Sequence, residues 1–145
     1  MNKIINQTLA TINDNGAMVT IRLILAYEFF TAGLMKLNGS NWYGGIQDQF
    51  PFPFNLLPAD FNWYLSMGVE LTLPILLVLG LGTRFAALGL IILDIVAWIA
   101  VHDGGYTISD GGFRLPLIFL AMLIPILITG SGRFGLDYYL KNNDK

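Results

Sequence analysis

Apolar residues fall in four long blocks, and polar or glycine-rich breaks separate them. The first runs MVTIRLILAYEFFTAGLMKL, and the others end in LTLPILLVLGL, IILDIVAWIAV and IFLAMLIPILIT. Each block approaches the ~20 residues needed to cross a ~30 Å hydrocarbon core at 1.5 Å per residue. The pattern predicts transmembrane helices over about 17–37, 61–81, 84–101 and 114–129. Gly80 and Gly82 punctuate the turn between the second and third, and Gly104, Gly105, Gly111 and Gly112 that between the third and fourth. The expected fold class is all-α: an antiparallel four-helix transmembrane bundle forming one integral membrane domain over 1–145.

The polar start MNKIINQTLATINDN reads as no secretory signal peptide. Ile4, Ile5, Leu9 and Ile12 recur at helical spacing, so this arm is either a membrane-surface helix or a disordered tail. With both termini inside, Lys3, Arg84, Arg133, Lys141 and Lys145 lie on the cytoplasmic side, against Lys36 and Arg114 outside. That is the positive-inside orientation, with both termini in the cytoplasm. The long first loop then faces outward as an aromatic-rich extracytoplasmic segment. Pro51 and Pro53 should hold FPFPF extended. Trp42, Tyr43, Trp63 and Tyr64 suit an interfacial belt, and the loop either rests on headgroups or forms a lid over an outward-opening pocket.

Composition agrees: 54% of residues are hydrophobic, 12% are charged, and the mean hydropathy is +0.60. Ordinary soluble domains carry about 25% charged residues. The net charge of −2 gives no basic stripe for nucleic acid. With no cysteine and the single His102, the chain has no thiolate metal site, iron–sulfur cluster or bis-histidine haem of its own. Among redox groups, a quinone is the simplest remaining cofactor. The lipid bilayer is the expected surrounding partner.

Charges inside the apolar blocks are the candidate chemistry. Glu28, Glu70 and Asp94 all count to near the bilayer midplane, on three different helices. A charged side chain there costs about 2.5–3.5 kcal/mol on insertion scales, so the acids should face the bundle interior. Arg22 is the one cation near that depth, and one cation cannot neutralise three acids. At least one acid should be protonated or hold an external cation or donor. Arg22 and Glu28 lie about 120° apart on the wheel, so Arg22 is expected to reach another span, with Glu70 as the partner to test. Lys36 reads as a helix-end anchor. Pro74 removes the hydrogen bond to the Glu70 carbonyl and should kink the second span, as Pro125 should kink the fourth. Trp98 lies one turn beyond Asp94, as a ligand donor or an anchor. His102 with Asp103 is a weak metal pair, more simply a surface histidine with its neighbour. The five methionines are scattered, and their spacing gives no argument for a copper thioether site.

These residues resemble a family. Arg22, Gly33 and Lys36 in the first span, Glu70 followed by LLVLGLGTRF, and GSGRFGLD after the fourth are similar to the DoxX family over about 21–140. Thr83–Arg84 and the run from Gly130 to Asp137 carry the resemblance most specifically. YEFFTAGLMKLNGSNWYGG and FPFPFN resemble a bacterial branch encoded beside peptide-modifying enzymes in copper-stress operons, in which Tyr27–Glu28 replaces a plain aliphatic pair. The resemblance implies a four-helix inner-membrane protein, and relatives tied to quinone-linked oxidation, oxidative-stress complexes and cargo reception.

Three functions follow. One is a quinone-linked redox or stress-response component whose midplane acids relay protons. Another is an export or handling partner for a small molecule or modified metal-binding peptide; four short helices would then need a homodimer or a membrane or periplasmic protein partner. The last is a non-catalytic scaffold or receptor whose charges fix helix register. The site candidates are Glu28, Glu70, Asp94, Arg22, Tyr27, Lys36 and Trp98. The sequence leaves open whether the protein is an enzyme.

Overall fold

The computed structural model describes the backbone of residues 2–107 and 111–143 and the side chains of 16–107 and 111–142. Among the described residues every regular element is helical: α1 Asn2–Asn38, α2 Ala59–Leu79, α3 Thr83–Val101, α4 Arg114–Thr129 and α5 Leu136–Asn143. Gly16–Asn38, Ala59–Leu79 and Thr83–Val101 are long and apolar enough to cross a membrane. The fourth apolar helix is shorter than a full span. Its 16 residues give about 24 Å of helix against a ~30 Å core. The chain reads as a multi-pass membrane protein.

The helix ends follow local chemistry. Gly80 terminates α2 at φ 67°, and its N–H bonds the Leu76 and Leu77 carbonyls. A β-carbon there would overlap Gly135, so the position needs glycine for close approach as well as for conformation. Pro74 lies within α2, which continues past it as one helix. The N-terminal arm is continuous with the first span in α1; the side chains of Ile4, Ile5, Leu9 and Ile12 lie outside the described set.

Leu25, Ala26 and Phe29 of α1 pack with Leu73 and Leu77 of α2, Ala86, Ala87 and Leu90 of α3, and Leu123 and Ile126 of α4. α1 packs most closely on α2 and α3 on α4, while α1 and α4 meet more sparsely. Small residues set these distances, as they do between membrane helices generally. A β-carbon on Gly33 would lie 2.9 Å from the Leu71 side chain and 3.0 Å from the Glu70 β-carbon.

The loop between α1 and α2 is ordered by its own aromatic cluster. Buried Tyr43 holds the rings of Trp42, Phe50 and Trp63 at 4.9, 5.1 and 5.1 Å. Its hydroxyl lies 3.1 Å from the Ser66 Oγ of α2. Asn62 donates to the Phe54 carbonyl at 2.8 Å, and Gln47 to that of Leu57 at 2.5 Å. The FPFPF segment is not extended throughout. Phe50 is (φ −65°, ψ 136°), but Pro53 has turned (φ −90°, ψ 1°) and a 3-10 turn follows at Phe54–Leu56. The Phe54 N–H closes this turn on the Pro51 carbonyl at 2.8 Å, a local bond that an extended chain cannot make.

At the opposite end the family-like motifs form a clasp. Arg22, 2% exposed, donates to the carbonyls of Leu77 at 2.7 Å, Val78 at 2.9 Å and Ser131 at 2.7 Å. One guanidinium thereby ties α1 to the end of α2 and to the turn after α4. The Asp137 carboxylate of α5 accepts from the Gly82 and Thr83 N–H groups at 2.7 and 2.9 Å, capping α3. The Asp137 N–H returns to the Gly80 carbonyl at 2.9 Å. Burial pushes the Asp137 carboxyl up, but the Thr83 and Gly82 N–H groups and the Arg22 charge outweigh it and hold it below the usual aspartate value.

Candidate functional site: a cavity among the four apolar helices

A cavity of about 390 Å³ opens among α1, α2, α3 and α4, beneath the aromatic loop. That volume suits a small ligand. Phe29, Val69, Leu93, Val96 and Phe119 make its walls mostly apolar, and Trp42, Tyr43, Phe50 and Phe54 roof it. The Phe29 and Phe119 rings, 5.4 Å apart, bridge α1 and α4.

Its polar groups are few. Lys36 Nζ donates to both Glu70 carboxylate oxygens, at 2.5 and 2.6 Å, with the two side chains only 14% and 8% exposed. The cation on Glu70 is therefore Lys36 and not Arg22, whose donors are committed to backbone carbonyls at the clasp. The close α1–α2 approach at Gly33 carries Lys36 across, so it is a pairing residue as well as a helix-end one. Asp94 is 4% exposed, lines the cavity, and has one carboxylate oxygen, Oδ2, buried without a hydrogen-bond partner. The Asn62 Oδ1, in the same lining, is a second buried acceptor without a donor. An acid so placed is satisfied by a proton or by a donor from outside the chain.

The other candidates fall at the edges. Glu28 lines the cavity yet is exposed, so it stands at the rim rather than inside. The expected interior layer of three acids is thus two enclosed acids and one at the mouth, because equal depth leaves azimuth free. Tyr27, 70% exposed, points away from the core. Trp98 stacks on Phe113 at 5.0 Å and 12° and is absent from the cavity lining. His102 lines the cavity at the loop end; burial lowers its imidazole pKa, opposed by a hydrogen bond to the Gly112 backbone. Asp103 is exposed. Among the described residues no three acid or histidine side chains gather as a metal site. Sequence reasoning missed Asn62, Ser66 and Tyr43 as lining groups. Asn62 and Ser66 were legible only as polar residues four apart at the start of an apolar block.

Fold and site together define an integral membrane protein with an internal cavity. The DoxX family model matches residues 17–103, and the chain belongs to the DoxX family. It is also 49% identical over 131 residues to a protein of Haemophilus influenzae (strain ATCC 51907 / DSM 11121 / KW20 / Rd), covering 90% of this chain and 87% of the relative. That relative is described as an uncharacterized protein. No solved structure matches.

Proposed function

We propose that the protein is an antiparallel four-helix inner-membrane bundle, one integral domain over 1–145, that binds a quinone between its helices as a component of a redox or stress response. Both termini face the cytoplasm and the aromatic loop lies outside. The carrying observation is the unpartnered Asp94 oxygen in a mostly apolar cavity of about 390 Å³. A quinone fits those residues: its apolar ring suits the walls, its carbonyl oxygen would accept from a protonated Asp94, and the hydroxyls of its reduced form would donate to the free Asp94 and Asn62 oxygens. A bound quinone supplies two-electron, two-proton redox chemistry, with electrons exchanged through a partner protein. Asp94 holds or accepts a proton at its free oxygen. Lys36 fixes the Glu70 side chain by donating to both of its carboxyl oxygens. The loop excludes water from above, and Glu28 stands where protons or ligand would pass the rim.

Fluorescence tests the reading, because Trp42 lines the cavity and Trp63 touches its roof. A short-chain quinone should quench tryptophan emission saturably in the nanodisc-embedded protein, and Asp94→Leu should weaken that binding. Quenching that rises linearly, with no saturation and no dependence on Asp94, rejects it. A scaffold reading is favoured by one observation, the Arg22 clasp, which joins three chain segments without touching the cavity. It predicts that no small ligand binds and that cavity variants change only stability.

A further inference from the structure

The outward face of α1 carries two polar groups that nothing in the described chain satisfies. Tyr27 is 70% exposed, and Glu28 beside it is exposed at the depth where lipid tails would surround it. A carboxylate facing hydrocarbon is strongly disfavoured, so such a group normally meets a protein neighbour. Ile24, 47% exposed, and half-buried Thr31 run up the helix between them, with Met35 above at 65% exposed. The Thr20 hydroxyl on this stripe is already bonded to the Gly16 carbonyl at 3.0 Å.

We propose that two copies of this chain associate about a two-fold axis normal to the membrane, through the Ile24–Thr31 face of α1, so that Tyr27 of the partner subunit closes each cavity mouth at Glu28. The geometry selects a second copy over another occupant. Adjacent helical residues differ by about 1.5 Å in depth and about 100° in azimuth. Tyr27 and Glu28 therefore flank the Ile24–Thr31 line at one level, on opposite sides. When two parallel helices face each other across a two-fold axis, the left flank of one opposes the right flank of the other. Each tyrosine hydroxyl then donates to the other copy's carboxylate, and the pairing occurs twice, as an isologous interface requires. Glu28 also lines the cavity, so the partner completes the wall where α1 and α4 pack sparsely. The inference holds whichever ligand the cavity takes.

Natural absence of cysteine makes the test direct. Single Ile24→Cys and Thr31→Cys variants of the full chain are cross-linked in native membranes with a short bismaleimide, alongside Leu88→Cys on the exposed side of α3. The seam cysteines should yield a band at twice the 16.0 kDa chain mass, and Leu88→Cys should not. In the Thr31→Cys background, Tyr27→Phe or Glu28→Met should lower dimer formation about tenfold, each removing both hydrogen bonds of the pair. Combining them should lower it no further. Both side chains are exposed, so the monomer's unfolding midpoint should stay unchanged. Only monomer from the seam cysteines, a band of any other mass, equal cross-linking at Leu88→Cys, or indifference to both polar variants overturns the proposal.

Discussion

Replacing Lys36 by methionine tests how the charged pair is held. The change keeps the aliphatic stem and removes the one cation on Glu70. Both side chains are largely buried, and the ammonium contacts both carboxylate oxygens, at 2.5 and 2.6 Å. An exposed pair would contribute ~0–1 kcal/mol. A buried pair broken from one side leaves an uncompensated charge and costs about 3–5 kcal/mol. For a chain of this length such a loss lowers the unfolding midpoint by on the order of 10 °C. Replacing both partners, Lys36→Met with Glu70→Leu, removes the orphaned charge and should recover most of the loss. Thermal unfolding in nanodiscs, followed by tryptophan emission, reads both. An unchanged midpoint for Lys36→Met, or a double variant no more stable than that single, would refute a desolvated pair.

Three further outcomes follow. Arg22→Lys should be destabilised nearly as much as Arg22→Gln, because an ammonium lacks the planar fork that reaches three carbonyls at once; full stability with lysine would contradict the clasp. Gly33→Val should separate α1 from α2 and loosen the Lys36–Glu70 contact, since its β-carbon falls 2.9 Å from Leu71; expression and midpoint at wild-type level would count against close approach. Because the folded Asp137 pKa is depressed, its contribution is present above the ordinary aspartate value of about 3.9 and disappears as pH falls through the folded value. Asp137→Ala should therefore cost about 1 kcal/mol at neutral pH and flatten the acid limb of the stability profile. An unaltered acid limb would remove Asp137 from that role.

Much of the helical framework was legible because apolar blocks and glycines mark it. The expected 84–101 and 114–129 agree with α3 and α4 to within a residue. What the sequence left open was azimuth and reach. Depth counting put Glu28, Glu70 and Asp94 at one level, but only packing turns Glu28 to the rim and Asp94 inward. Lys36 read as an end anchor because the approach of α1 to α2 at Gly33 is a tertiary fact, as is the reach of Asp137 across 55 residues to cap α3. The FPFPF segment failed for another reason. Proline restricts its neighbours to extended backbone, yet Pro53 itself joined a turn closed by the Phe54 N–H.

The central claim is that an apolar cavity with an enclosed, unpartnered acid, Asp94, holds a quinone. It is met most directly by extracting the protein from its native membrane with its surrounding lipid, without detergent, and measuring quinone per chain. The account predicts close to one quinone per wild-type chain, falling to the membrane background in Asp94→Leu. A wild-type value at background, or one that Asp94→Leu leaves unchanged, contradicts it.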